Sequence, residues 1–123
     1  MLIGPVYLAG GMHTDWRSRV IAAFPDIIFF DPSSHGLTDE ADYTTWDLAH
    51  VRYAETVFVY MDAANPSGYG LSLEAGYAFA LNKRIIFVDE SGTHSRSFGM
   101  LRQIADVVYS SMDEAINSLG GVG

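Results

Sequence analysis

The chain has 123 residues, 49% of them hydrophobic and 18% charged, which is one domain's worth of sequence and too apolar to stay disordered. With 15 acidic and 7 basic residues the formal net charge is −8, which argues against a basic surface broad enough for a nucleic acid polymer. There is no cysteine, so disulfides, thiolate zinc sites and a cysteine nucleophile are excluded together.

Short apolar runs alternate with helical patterns along the chain. Val6-Tyr7-Leu8-Ala9 reads as a strand that ends in the tight turn Gly10-Gly11. Asp15 to Phe24 places Trp16, Val20, Ala23 and Phe24 at helical spacing, with Thr14 as N-cap. Ile27 to Phe30 is a second strand, closed by Asp31-Pro32. Residues 42–54 form a second helix with Trp46, Ala49, Val51 and Tyr53 near its buried side. Thr56 to Met61 is a third strand, Leu71 to Leu81 a third helix with Asn82 at its C-cap, and Arg84 to Val88 a fourth strand. A helix near 98–105, a strand Val107-Val108-Tyr109 and a helix over 111–119 follow. Residues 120–123, Gly120-Gly121-Val122-Gly123, are expected to fray as a flexible tail.

This alternation predicts one α/β domain over residues 1–119. It is a doubly wound, Rossmann-like, five-stranded parallel sheet of order 2-1-3-4-5, with helices on both faces. No run reaches the ~18 apolar residues of a membrane span, and Met1-Leu2-Ile3-Gly4-Pro5 lacks the basic start of a signal peptide, so a soluble cytoplasmic protein is expected. Ligands of such sheets bind beyond the carboxyl ends of the strands. The loops to search are therefore 9–14, 31–41, 62–70 and 89–96.

Gly10 and Gly11 let backbone approach a ligand, but no GxGxxG marks a dinucleotide site. Tyr7 points towards that edge, although strand tyrosines more often pack in a core. The loop Asp62 to Gly70 runs into the third helix, whose free N–H groups and dipole make an anion site, with Ser67 and Ser72 as hydroxyl donors. Glu74 falls in the first turn, where the same field keeps it ionised, as suits a nucleophile; a glutamate there also simply favours the helix. Asp47 in the second helix would complete the carboxylate pair of glycosyl transfer, or be a solvated aspartate. His35 with Asp31, Asp39 and Asp42 would be a weak metal set. The histidines show no HxxxH or HExxH spacing, and there is no GxSxG elbow.

Taken in order, four segments resemble the nucleoside 2-deoxyribosyltransferase family. They are Val6 to Met12 with Thr14-Asp15-Trp16-Arg17, then Asp31-Pro32, then Asp47-Leu48 ahead of Val57-Phe58-Val59-Tyr60, and Gly70-Leu71-Ser72-Leu73-Glu74-Ala75-Gly76-Tyr77-Ala78 with Asn82-Lys83-Arg84-Ile85-Ile86 after it. The last is the most specific, a G-x-x-x-E-x-G-x-A block. The resemblance covers about residues 5–90, with a weaker echo from 96 to 106. It implies that Glu74 attacks C1′ of a 2′-deoxynucleoside, that Tyr7 aims Glu74, and that Asp47 exchanges a proton with the departing and incoming bases. It implies no metal and no cofactor. Its expected ligands are a nucleoside or nucleotide and a free nucleobase, with Met12, Trp16 and Tyr69 as candidates to line the base pocket.

Two positions depart from the pattern: Gly68 stands where many transferases carry an aspartate six residues before the nucleophile, and Leu71 where a threonine is usual. Pro66-Ser67 instead resembles relatives that cleave nucleoside 5′-monophosphates, where a loop serine holds phosphate. With few basic residues, a phosphate would rest on backbone N–H groups and Ser67, helped by Arg17 or Arg96. Members that share a site between subunits do so from the segment matching Ser95–Arg102, which makes Ser97 and Arg96 candidates and implies a homodimer or larger. Two other readings stay open: a nucleotide-binding sensor without catalysis, and an interaction module.

Overall fold

A computed structural model describes residues 1–123, except the side chains of residues 93–95. The elements in order are β1 (Val6–Gly10), α1 (Trp16–Ala23), β2 (Phe29–Phe30), α2 (Glu40–Tyr53), β3 (Thr56–Met61), α3 (Tyr69–Ala80), β4 (Arg84–Asp89), α4 (Gly99–Ile104), β5 (Val107–Tyr109) and α5 (Met112–Ser118). All neighbouring strands pair in parallel, in the expected order β2-β1-β3-β4-β5. Among the described residues, no helix is long and apolar enough to cross a membrane.

The strands are apolar on both faces because each face is covered. Val6, Leu8, Phe58, Tyr60, Ile86 and Val88 pack beneath α1 and α5; Tyr7, Ala9, Val57, Val59, Ile85 and Phe87 pack beneath α2, α3 and α4. All six residues of β3, the central strand, are buried.

Several element ends differ from expectation. The second strand keeps only Phe29–Phe30 of the expected 27–30; it is the edge strand, and exposed Ile28 contributes only its carbonyl, to the Val6 N–H. The first helix starts behind Asp15 rather than Thr14, and its N-cap side chain makes no capping bond. The second starts two residues early because the Asp39 carboxylate accepts the Asp42 N–H; Tyr53 on it is exposed rather than buried. Acidic Glu40 and Asp42 open that helix and His50 and Arg52 close it, as its dipole favours. Asn82 lies one residue past the C-cap of α3 in left-handed conformation (φ 59°), where Lys83 N–H reaches Ala78 O and Asn82 N–H reaches Phe79 O.

The third helix begins at Tyr69, two residues before Leu71, because Gly68 turns the chain at φ 83°. A Cβ on Gly68 would lie 2.7 Å from the Phe98 ring. The glycine-rich end does not hang loose: Gly121 N–H bonds to Ile116 O and Val122 N–H to Ala23 O, tying the tail across α1 and α5.

Candidate active site

The site lies at the switch point between β1 and β3, whose onward connections leave to opposite faces of the sheet. Tyr7 on β1 is fully buried, and its hydroxyl donates to Oε2 of Glu74 on α3. Asp47 on α2 and Glu74 line one cavity of about 190 Å³, together with Leu48, Gly70 and Leu73. Asp47 also closes a larger cavity of about 530 Å³ over the loop after β2, lined by Met12, Pro32, His35, Leu37 and Tyr43.

Burial dominates the electrostatics. It pushes the Glu74 carboxyl up from 4.5 to about 7; the Tyr7 hydrogen bond and Arg17 oppose this, while the Asp47 charge adds to it. Glu74 therefore sits in the second turn of α3 and only partly ionised near neutrality, rather than in the first turn and held charged by the helix. Burial, next to the Glu74 charge, drives the Tyr7 phenol far above its ordinary value, so it stays protonated and remains a donor. The Asp47 carboxyl is also raised by burial, against the His35 hydrogen bond and the Arg17 charge. Two carboxyls with raised proton affinity beside a fixed donor can divide the roles of nucleophile and proton carrier.

Arg17 is buried and holds the end of β1. Its guanidinium donates to Leu8 O at 3.2 Å, Gly10 O at 2.9 Å and Gly11 O at 2.8 Å, stacks 4.5 Å over the Trp16 ring and lies 3.6 Å from Asp31. With its donors used inside the protein, Arg17 is not available to a phosphate as expected. Asp31 is occupied likewise: its carboxylate accepts Ser33 N–H and Ser33 Oγ–H.

Trp16 does not line a base pocket. It packs in the core on the opposite sheet face, stacked on Phe58 and tilted against Tyr60, and donates from Nε1 to Gly11 O. The room left by Gly10 is filled by Trp16 and the Tyr60 carbonyl, and that of Gly11 by His13 and Asn65, so these glycines serve internal packing. Gly70 differs: a Cβ there would meet open space on the cavity wall. Ser72 Oγ–H is engaged by Gly68 O and is not a free donor. Ser67 is exposed at the entry to α3, with its N–H bonded to Asn65 Oδ1, and Tyr69 and Met12 are exposed. Ser97 and Arg96 are exposed on the turn before α4; the side chain of Ser95 lies outside the described residues.

His35 was expected only as a metal ligand with Asp31, Asp39 and Asp42. It pairs instead with Asp47, Nε2 to Oδ1 at 3.2 Å, and among the described residues no three acidic or histidine side chains converge as a metal set. Tyr43, which lines both cavities, was missed; its place on α2 one turn before Asp47 was the available signal.

No curated protein matches the chain. Among solved structures it resembles a 2-desoxiribosyltransferase from Leishmania mexicana (TM-score 0.59, 21% identity), over 68% of this chain and 62% of that one. It therefore spans less than two thirds of that relative's length. It also resembles a CMP N-glycosidase from Clostridium botulinum (TM-score 0.65, 19% identity), over 93% of this chain and 95% of that one. Identities this low speak for the fold alone. The family model described as nucleoside 2-deoxyribosyltransferase like matches residues 4–91, the span that carries Tyr7, Asp47 and Glu74, and the chain belongs to that family.

Proposed function

We propose that the protein is a nucleoside 2-deoxyribosyltransferase. It cleaves the N-glycosidic bond of a 2′-deoxynucleoside through a covalent Glu74–deoxyribosyl ester and passes the sugar to a second base. The observation that carries this reading is the Tyr7 hydroxyl bonded to a half-buried Glu74 that shares a cavity with Asp47. Ionised Glu74 attacks C1′ as the bond to the base breaks, and Asp47 gives its proton to the departing base. The acceptor base then attacks C1′ from the vacated side, releases Glu74 and returns a proton to Asp47. Two displacements give net retention. Such a step belongs to nucleotide salvage in the cytoplasm.

A second reading, hydrolysis of 2′-deoxynucleoside 5′-monophosphates, is favoured by Gly68. Its φ of 83° and the Phe98 ring leave no place for the sugar-binding aspartate of many transferases, while the N-terminal turn of α3 opens beside Ser67. Both readings employ Glu74 in the same way. In each, Ser97 or Arg96 of a neighbouring copy completes the site in a homodimer or larger assembly.

Incubation with a 2′-deoxynucleoside, or its 5′-monophosphate, and a different free base separates the readings. A new nucleoside indicates transfer, and free sugar or sugar phosphate indicates hydrolysis. Ligand-induced thermal stabilisation with no base release from either substrate would leave a non-catalytic sensor. Glu74→Ala retaining base release would refute the covalent mechanism.

A further inference from the structure

The His35 ring makes two directed contacts. The Leu37 backbone N–H donates to Nδ1 at 3.0 Å, and Nε2 lies 3.2 Å from Asp47 Oδ1. A nitrogen that accepts a hydrogen bond carries no proton, so the neutral ring must bear its hydrogen on Nε2, the atom facing Asp47. The edge of Trp46, 4.8 Å between ring centroids, fixes the ring plane. Asp47 Oδ2 makes no hydrogen bond among the described residues, and Asp47 lines both cavities.

We propose that His35 is a positioning residue for the acid–base carboxylate. Locked as its Nε2–H tautomer by the Leu37 N–H, it holds Oδ1 of Asp47 and leaves Oδ2 to exchange a proton with the nucleobase. The role of Asp47 rests on the proposed function; the locked pairing does not. A neutral donor favours the charged carboxylate and so counters the burial that raises Asp47. Arg17 from α1, Tyr7 from β1, Glu74 from α3 and His50 on α2 itself also act on Asp47, but among the described residues only His35 hydrogen-bonds to it. The loop after β2 thereby sets the proton affinity of a group on α2.

Two substitutions separate this role from packing. His35→Phe keeps a ring against Trp46 and removes the donor; His35→Gln keeps an N–H at the Nε2 position and removes the ring. NMR of the full chain, labelled at histidine nitrogens and aspartate carboxyls, reads the tautomer in the unaltered protein and the Asp47 titration in all three. The expected result is an unprotonated Nδ1 and a protonated Nε2. The Asp47 midpoint should rise by about one pH unit in His35→Phe and stay near its original value in His35→Gln. In a base-release assay the basic limb of the pH profile moves up by the same amount in His35→Phe only.

A protonated Nδ1 in the unaltered protein would overturn the proposal, and that measurement needs no variant to fold. So would an unmoved Asp47 midpoint in His35→Phe, or an equal shift in both variants. If the unaltered protein released no base from any deoxynucleoside or deoxynucleotide, the proposed reaction would fail, while the tautomer and titration would still decide the pairing.

Discussion

Glu74 carries opposed demands. Its burial, opposed by the Tyr7 hydrogen bond, raises its carboxyl from 4.5 to about 7, so the folded chain binds a proton there more tightly than the unfolded chain does. Stability contributed through this group is present below pH 4.5 and is lost as pH rises through about 7. Glu74→Gln, neutral and nearly isosteric, should leave stability unchanged at pH 4 and raise it by roughly 3 kcal/mol at pH 8, with base release abolished. Thermal melts of both forms across that range check it; an equal gain at both ends would show that packing, not charge, is responsible. Tyr7, Asp47 and Glu74 were all named from the sequence, because motif order places them on three elements that meet at one sheet edge. The state of Glu74 was not legible, since burial belongs to the assembled neighbours and not to the helix it sits on. Arg17 and Trp16 misled for a related reason: residues beside a glycine turn point to a ligand or to the core according to the sheet face, and α1 carries both to the inner side.

At the scale of the element, the strands other than the edge strand β2 were readable, and the starts of α2 and α3 were not. Thr56 to Met61 announces itself because a doubly covered strand is apolar throughout. The start of α3 depends on a single left-handed residue, Gly68, and on the Phe98 ring that fills the space beside it from the turn before α4. No local pattern reveals a contact across thirty residues of sequence. An aspartate in place of Gly68 would meet the same ring. Gly68→Asp should destabilise by about 1–3 kcal/mol through backbone strain and overlap with Phe98, and should not improve sugar binding. Denaturant midpoints for Gly68→Asp alone and with Phe98→Leu test this: the second change should recover part of the loss.

Over the whole molecule, the outward side of α3 is unusually apolar. Tyr69 is 84% exposed and Leu73 62%, and Met100 on neighbouring α4 is 85% exposed. A helix apolar on its outer face calls for a cover, which supports the proposed assembly of copies. Leu73→Lys should shift the protein towards monomer in sedimentation equilibrium. If Ser97 or Arg96 completes a neighbour's site, mixing Glu74→Ala with an Arg96→Ala, Ser97→Ala double variant should restore activity that neither has alone. An unchanged mass for Leu73→Lys, with no recovery on mixing, would argue for a site finished within one chain.

A carboxyl that titrates near neutrality has a calorimetric consequence. A substrate that engages only ionised Glu74 expels about half a proton per site at pH 7, since the free protein there is divided between both forms. The heat of binding should therefore follow the ionisation enthalpy of the buffer, differing between phosphate and Tris at the same pH. In Glu74→Gln that difference should vanish.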